Sequence, residues 1–322
     1  MSQNPKLKKP RSFDANLIVI GAGSAGLVSS YIAAAVKAKV ILIERDKMGG
    51  DCLNTGCVPS KAILRSAKIA EYMRRASEFG LAQVDVQPRF EQVMARVKRV
   101  VAEIEPHDSV ERYTGLGVDC VLGEAKIASP WHVEINGEVL TARSIIIASG
   151  ARPFVPPIEG LAEAGYLTSD SVWSLTELPK KFVVLGGGPI GCELGQAFAR
   201  LGSEVTIVEM LDRLLIKEDE DVSAVVQQSL ERGGLQCLTG HRAVRVEQDE
   251  TGKFLICEGV GSQGVSSEGA GGEVKVPFDQ VLVTVGRRAN TENMGLKGLG
   301  IRTRNNGTIE TDKYMRSSVK NI

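Results

Sequence analysis

The 322-residue sequence predicts an α/β fold of two three-layer units, the second inserted into the first. Three observations carry that expectation. A pattern of strand, glycine loop, helix, strand and acid occurs twice at matching spacing. The length suits two domains rather than one. Apolar residues at 43% and charged residues at 24% are ordinary for a packed globular chain.

The first copy opens with an apolar strand over residues 17–20, then Gly21-Ala22-Gly23-Ser24-Ala25-Gly26, a helix to about Val36, and a strand over 40–43 ending in Glu44. This is the dinucleotide (Rossmann-like) fingerprint in its full context. The first glycine admits a tight turn, the second lets backbone approach a pyrophosphate, and the third lets helix and strand pack closely. Glu44 is placed to accept hydrogen bonds from a ribose diol. The second copy has a strand over 182–185, Gly186-Gly187-Gly188-Pro189-Ile190-Gly191, a helix to about Leu201, and a strand over 205–208 ending in Glu209. Twenty-three positions separate Gly21 from Glu44, and again Gly186 from Glu209. The spacing marks an internal repeat.

Just after the first copy the chain reads Gly49-Gly50-Asp51-Cys52-Leu53-Asn54-Thr55-Gly56-Cys57-Val58-Pro59-Ser60-Lys61, ahead of an amphipathic helix over 62–75. In a regular helix, residues five apart have α-carbons roughly 8.5 Å apart, beyond the roughly 4.4–6.8 Å a disulfide needs. Asn54, Thr55 and Gly56 supply an irregular turn, and Pro59 suits a first helical turn. A helix start favours a thiolate, so Cys52 and Cys57 read as a redox pair. Two dinucleotide units and one such pair imply an electron chain of nicotinamide, flavin and dithiol. The first unit, next to the cysteines, is expected to hold FAD and the second NAD(P).

These residues, with Ala148-Ser149-Gly150 and Val285-Gly286-Arg287-Arg288-Ala289-Asn290, make the chain resemble the FAD-dependent pyridine nucleotide–disulfide oxidoreductases. Lipoamide dehydrogenase, glutathione reductase and mercuric reductase belong to that family, and the likeness runs across nearly the whole chain. The resemblance implies that Cys52 is the interchange thiol and Cys57 the thiolate against the flavin. It also implies that Lys61 reaches the flavin N5 region and pairs with Glu193, a carboxylate that would keep a buried lysine charged. Cofactor contacts are expected at Gly21, Gly23, Ser24, Ala25, Gly26, Glu44, Gly50, Lys61, Ala148, Ser149, Gly150, Gly186, Gly188, Pro189, Ile190, Gly191, Glu209, Gly286 and Arg288. One residue departs from the pattern: Asp51 stands where the family usually has Thr. A carboxylate beside Cys52 disfavours its thiolate unless turned away or paired.

Composition excludes several classes. Basic and acidic residues balance at 39 each, which gives no case for nucleic-acid binding. Cys120, Cys192, Cys237 and Cys257 sit singly in apolar patterns, read as reduced core residues and show no zinc spacing. That usage suits the reducing cytoplasm. Residues 15–36 carry no charge and follow a basic leader over 1–11, expected to be disordered. The fingerprint glycines and polar Asn16, Ser24, Ser29 and Ser30 make 15–36 a strand–loop–helix rather than a membrane span.

The remaining elements fill two domains: an FAD domain over 12–155 and 285–322, and an NAD(P) domain over 156–284. Residues 89–112 are expected to be helical with a break at Pro106. Strands over 120–125, 132–135 and 139–142 form a small meander, and 144–148 returns to the parallel sheet. Residues 259–272, with six glycines, read as a mobile hairpin excursion without chemistry. Glu209 favours the 2′-OH of NAD over the 2′-phosphate of NADP, a preference that Arg213 could soften. His107, His132 and His241 lack a general-base arrangement and read as structural. In the family, Ile322 would lead into a flavin-binding Asp turn and a dimerisation domain bearing a catalytic His–Glu pair. Their absence predicts an incomplete dithiol site, with a homodimer only where that domain is present. The expected function is a lipoamide dehydrogenase-like flavoprotein oxidoreductase acting on a small disulfide or other acceptor. The alternatives are a non-catalytic nucleotide-binding fragment and a diaphorase using non-disulfide acceptors.

Overall fold

A computed structural model of the chain describes residues 7–260 and 272–322. The start of the basic leader and most of the glycine-rich excursion lie outside the described residues. The helices are α1 (Ser24–Ala35), α2 (Gly50–Asn54), α3 (Cys57–Arg74), α4 (Phe90–Ile104), α5 (Val110–Gly115), α6 (Leu161–Ala164), α7 (Pro189–Leu201) and α8 (Glu220–Arg232). The strands are β1 (Ala15–Ile20), β2 (Val40–Glu44), β3 (Val118–Leu122), β4 (Lys126–Ser129), β5 (His132–Ile135), β6 (Glu138–Ile147), β7 (Ala151–Pro153), β8 (Leu167–Thr168), β9 (Lys181–Leu185), β10 (Glu204–Val208), β11 (Gln236–Leu238), β12 (His241–Asp249), β13 (Gly252–Gly259), β14 (Val274–Phe278), β15 (Gln280–Val283) and β16 (Arg287–Ala289).

The chain divides into two compact units. One holds residues up to Asn54, with Val101–Arg152 and Arg288–Ile322; the other holds Thr55–Val100 and Pro153–Arg287. In the first unit a six-stranded sheet runs β3-β2-β1-β6-β5-β4. β1 is buried on both faces, as parallel strands are. Ile18 and Ile20 pack with Ile41, Ile43, Ile127 and Val133, while Val19 packs with Leu27, Leu42 and Tyr113. β6 does two jobs: its first half pairs antiparallel with β5, and its second half pairs parallel with β1, from Ala15↔Ala142 to Ile20↔Ile147.

The second unit repeats the plan. Its five-stranded sheet runs β11-β10-β9-β15-β8, and an antiparallel sheet β12-β13-β14 lies between β11 and β15 in sequence. The order third–second–first–last is therefore common to β3-β2-β1-β6 and β11-β10-β9-β15. The repeat read from two glycine loops extends to topology.

The strand meander needs correction. β3 is a parallel neighbour of β2, from Val40↔Val118 to Glu44↔Leu122. The meander strand ahead of β5 is β4, a four-residue segment whose alternation is masked by a polar residue, Ser129, at a buried position. The two strands expected over 139–142 and 144–148 are one, β6. The helical stretch breaks where Pro106 predicted, into α4, a 3₁₀ turn at Glu105–Asp108 and α5.

The unit boundaries also differ from the expected domains, because residues 55–100 group with the second unit. Ile63 and Ala67 of α3 and Phe90 and Met94 of α4 share one core with Phe182, Leu194 and Phe198. The Phe198 ring stacks on Phe182 at 4.4 Å and lies 5.8 Å from Phe90. Two side chains add to this: Arg96 Nη1 donates to the Ala62 carbonyl and Arg74 Nη1 to the Arg200 carbonyl, each at 2.7 Å.

Among the described residues, no helix is long and apolar enough to cross a membrane. The uncharged stretch over 15–36 is β1, the glycine loop and α1.

Candidate active site

Both glycine loops lie at the C-terminal ends of their sheets, where the strand order reverses, the usual ligand position of such sheets. In the first, the Gly21 amide donates to the Ile43 carbonyl at 2.7 Å and the Ala148 amide to the Ile20 carbonyl at 2.8 Å. Gly21 has φ +104°, a left-handed conformation that favours glycine. In the second, the Gly186 amide donates to the Val208 carbonyl at 2.8 Å and the Thr284 amide to the Leu185 carbonyl at 2.7 Å, with Gly186 at φ +111°. The third glycine of each loop packs against its own first: a Cβ on Gly26 would strike the Gly21 carbonyl, and one on Gly191 the Gly186 carbonyl. Only glycine allows that approach.

The two acids act on the loops themselves. One Glu44 oxygen accepts from the Ala22 amide at 2.6 Å, and the other from the Arg45 and Asp46 amides at 2.8 and 2.9 Å. One Glu209 oxygen accepts from the Gly187 amide at 2.6 Å and the other from the Leu211 amide at 2.9 Å. Each carboxylate thus fixes the loop and still has lone pairs for hydroxyl donors. Arg213 is held locally, donating to the Glu218 and Ile216 carbonyls at 2.9 and 3.2 Å.

The cysteine cluster breaks where its sequence predicts. α2 ends at Asn54, Thr55 and Gly56 interrupt it, and Cys57 is the first residue of α3. Cys52 is half-buried on α2 and Cys57 is exposed. Asn54 ties the end of α2 back to its start by donating to the Met48 and Gly50 carbonyls at 3.0 and 2.9 Å. Asp51 is exposed beside Cys52. Within the second unit, Lys61 Nζ meets both Glu193 oxygens, at 2.8 and 2.6 Å. The pairing is as expected but the burial is not. The two side chains are 61% and 44% exposed, because Lys61 and Glu193 sit on the outer edges of packed helices α3 and α7.

Two glycine-loop units arranged alike, each with its acid, and a Cys-x4-Cys helix start between them in sequence match one family model. The pyridine nucleotide–disulphide oxidoreductase family matches residues 15–322. The chain belongs to that family. It is 35% identical over 312 residues to a mercuric reductase of Staphylococcus aureus, covering 97% of this chain and 55% of the relative. It is 35% identical over 318 residues to a dihydrolipoyl dehydrogenase of Mycoplasma genitalium, covering 96% and 65%. Among solved structures it is similar to the HOCl-induced flavoprotein disulfide reductase RclA of Escherichia coli, with TM-score 0.78 and 25% identity over 95% of this chain and 64% of that one. The chain therefore spans about half to two thirds of the length of these relatives.

Flavin and pyridine nucleotide are the redox groups of this family, and both loops fit them. α1 and α7 start at Gly23 and Gly188 with no side-chain cap and no acid in the first turn. By contrast, α8 carries Glu220 and Asp221 in its first turn. Uncapped helix starts without carboxylates suit phosphate. Around the first loop the cradle is backbone: Gly50 has φ +53°, and a Cβ there would lie 2.6 Å from the Gly23 Cα. Ser24 and Ala25 open α1, and Pro189 and Ile190 open α7. The Ser149–Gly150 turn is held by Asn290, whose Nδ2 donates to the Ser149 carbonyl and whose amide donates to the Gly150 carbonyl, both at 3.0 Å. Arg288 pairs with Glu292 at 3.3 Å, and Gly286 lies in the second unit, its carbonyl accepting from the Phe154 amide at 2.9 Å.

The single cysteines and two of the histidines are held within the fold. Burial pushes the Cys192 and Cys257 thiols up to about 12 and Cys237 to about 11, and raises Cys120. His132 is buried with Nδ1 2.6 Å from the Ser129 hydroxyl, and His241 Nδ1 meets the Thr239 carbonyl at 2.7 Å. Sequence reasoning missed three residues. Thr284 donates its hydroxyl to the Leu185 and Gly186 carbonyls, Asn290 braces the Ser149 turn, and Trp173 reaches the cysteine turn. Only Asn290 carried a signal, as the last residue of a quoted motif.

Proposed function

We propose that this chain is the nucleotide-binding and dithiol core of an oxidoreductase that passes electrons between NAD(P)H, FAD and a reversible Cys52–Cys57 disulfide, as a lipoamide dehydrogenase does. The observation that carries the reading is the pair of matching glycine loops, each gripped by its own carboxylate, with the dithiol helix start following the first in sequence. Gly21, Gly23, Ser24, Ala25, Gly26, Glu44, Gly50, Ala148, Ser149 and Gly150 hold FAD. Gly186, Gly188, Pro189, Ile190, Gly191 and Glu209 hold NAD in preference to NADP. The bound flavin supplies two-electron transfer between nicotinamide and dithiol.

The chain's own residues divide the rest. Cys52 exchanges with a small disulfide or dithiol, and Cys57, at the positive end of α3, holds charge as thiolate. Lys61, kept in place by Glu193, places a cation where negative charge develops on reduction. The disulfide chemistry fits the reducing cytoplasm. The test is an anaerobic titration of the FAD-loaded chain with NADH, counting thiols. Two additional thiols, mapped to Cys52 and Cys57, are expected at one NADH equivalent. An unchanged thiol count with bleached flavin sinks the dithiol role and leaves a diaphorase; no bleaching at all sinks the electron chain.

A further inference from the structure

Trp173 lies on a 3₁₀ turn, Val172–Ser174, and its ring packs against the core that joins α3 and α7. Its indole N–H is shared between two carbonyls, Thr55 and Ser169, each at 2.8 Å. A largely buried indole needs an acceptor for its single donor. Here one of the two belongs to the segment between the redox cysteines. Thr55 follows the last residue of α2, where carbonyls have no intrahelical donor, and stands two positions before Cys57. The contact bridges 118 positions of sequence, yet both residues belong to the second unit.

We propose that Trp173 is a positioning residue for the dithiol, fixing the Thr55 carbonyl so that the turn between Cys52 and Cys57 is set for disulfide closure. The proposal rests on the reading that these cysteines form a reversible disulfide. Closure demands a narrow range of Cα separation, whereas the dithiol tolerates a looser turn. Pinning the Thr55 carbonyl therefore favours the disulfide by removing freedom that closure would otherwise have to remove. Losing the pin shifts the balance toward dithiol.

The test equilibrates the purified full chain with mixtures of reduced and oxidised dithiothreitol. The disulfide plus reduced dithiothreitol gives two cysteine thiols plus cyclic oxidised dithiothreitol, two electrons and two hydrogens passing to the protein. Trapping with an alkylating reagent and mass spectrometry reads the Cys52/Cys57 state. Trp173→Phe keeps an aromatic ring and removes the donor. It should favour the dithiol by about 3–10-fold, the usual worth of one buried hydrogen bond, or about 14–30 mV at 29.6 mV per tenfold. Trp131→Phe, which removes the other tryptophan, should leave the equilibrium unchanged.

A Trp173→Phe protein that melts earlier but keeps the parent equilibrium would overturn the proposal, since a merely structural indole gives that result. If the parent chain shows no interconversion, the dithiol reading itself fails. Should Trp173→Phe not fold, the Trp131→Phe chain provides the second measurement. Its remaining indole emission should change on reduction with the midpoint found by alkylation, and should not respond when both cysteines are serine. Emission indifferent to reduction also overturns the assignment.

Discussion

The two glycine loops obey one backbone rule and then diverge. Gly21 and Gly186 turn with positive φ, Gly26 and Gly191 press against them, and Glu44 and Glu209 each accept the amide one residue into the loop. Beyond that shared frame the neighbours differ. The Ala22 carbonyl accepts from the Gly49 amide at 2.9 Å, and Gly50 lies against Gly23, so the first loop is cradled by backbone that leads into the cysteine helix. The Gly187 carbonyl accepts from the Leu215 amide at 2.9 Å, and a Cβ on Gly187 would lie 2.5 Å from Leu214 Cδ2. The second loop is packed by leucines and leads into a helix whose one cysteine, Cys192, is buried and donates to the Gly187 carbonyl at 3.4 Å, not into a pair. Residues the fold needs are repeated. Residues that give each site its ligand and chemistry are not.

The largest effects should come from breaking the shared frame one copy at a time. Gly26→Ala places a methyl into the Gly21 carbonyl, and the loop must move. Loss of flavin after purification is expected, with about 1–3 kcal/mol or more of stability lost by overpacking. Gly191→Ala should instead spare the flavin and abolish NADH binding, read by calorimetry. Flavin lost from Gly191→Ala and retained in Gly26→Ala would exchange the two assignments.

A smaller effect separates what the acids do. Glu209→Gln keeps an oxygen for the Gly187 amide and removes the charge that opposes a 2′-phosphate. The NADH preference over NADPH should shrink by about 1–3 kcal/mol, the worth of a hydrogen bond to a charged group. Glu44→Gln should weaken flavin binding without touching that ratio. If Glu209→Gln leaves the ratio unchanged, Glu209 serves only its loop.

How much of this was legible follows from distance along the chain. The loops, their strands and their acids are local, and hydrophobic patterning with glycine spacing placed them within a few residues. The break between α2 and α3 was legible because Asn54, Thr55, Gly56 and Pro59 are local signals too. β3 was misplaced because an apolar strand does not state its neighbour, and only tertiary packing sets it beside β2. Lys61 with Glu193 lies 132 positions apart and was reachable only through the family resemblance. Its exposure was not, since burial depends on how α3 meets α7. Trp173 and Thr55 had no local signal at all.

The Lys61–Glu193 pair sharpens the contrast between folding and chemistry. Both side chains are substantially exposed, so the pair should add only about 0.2–1 kcal/mol to stability. A double-mutant cycle with Lys61→Met and Glu193→Gln in urea should give a coupling in that range, falling with salt. Single-turnover flavin reduction by NADH should fall far more than stability does. A coupling of several kcal/mol would mean that the pair is structural and its site desolvated.

The smallest expected effect tests a brace in the first unit. Arg152 Nη2 pairs with Glu292 at 2.8 Å and its Nη1 reaches Asn290 Oδ1 at 3.0 Å, the residue that holds the Ser149–Gly150 turn. The hydrogen bonds and charge of Arg152, with Arg288 nearby, hold the Glu292 carboxyl well down, at about 2 against an ordinary 4.5. A carboxylate with a depressed folded pKa contributes stability that is present above its unfolded value. That contribution is lost as pH falls through the folded value. The parent should therefore melt slightly above Glu292→Gln at pH 6, and the two melting curves should converge between about pH 4.5 and pH 2. Because the pair is exposed, the difference should also shrink in high salt. A gap that persists unchanged to pH 2 would show that Glu292→Gln acts by altering the turn and not through its charge.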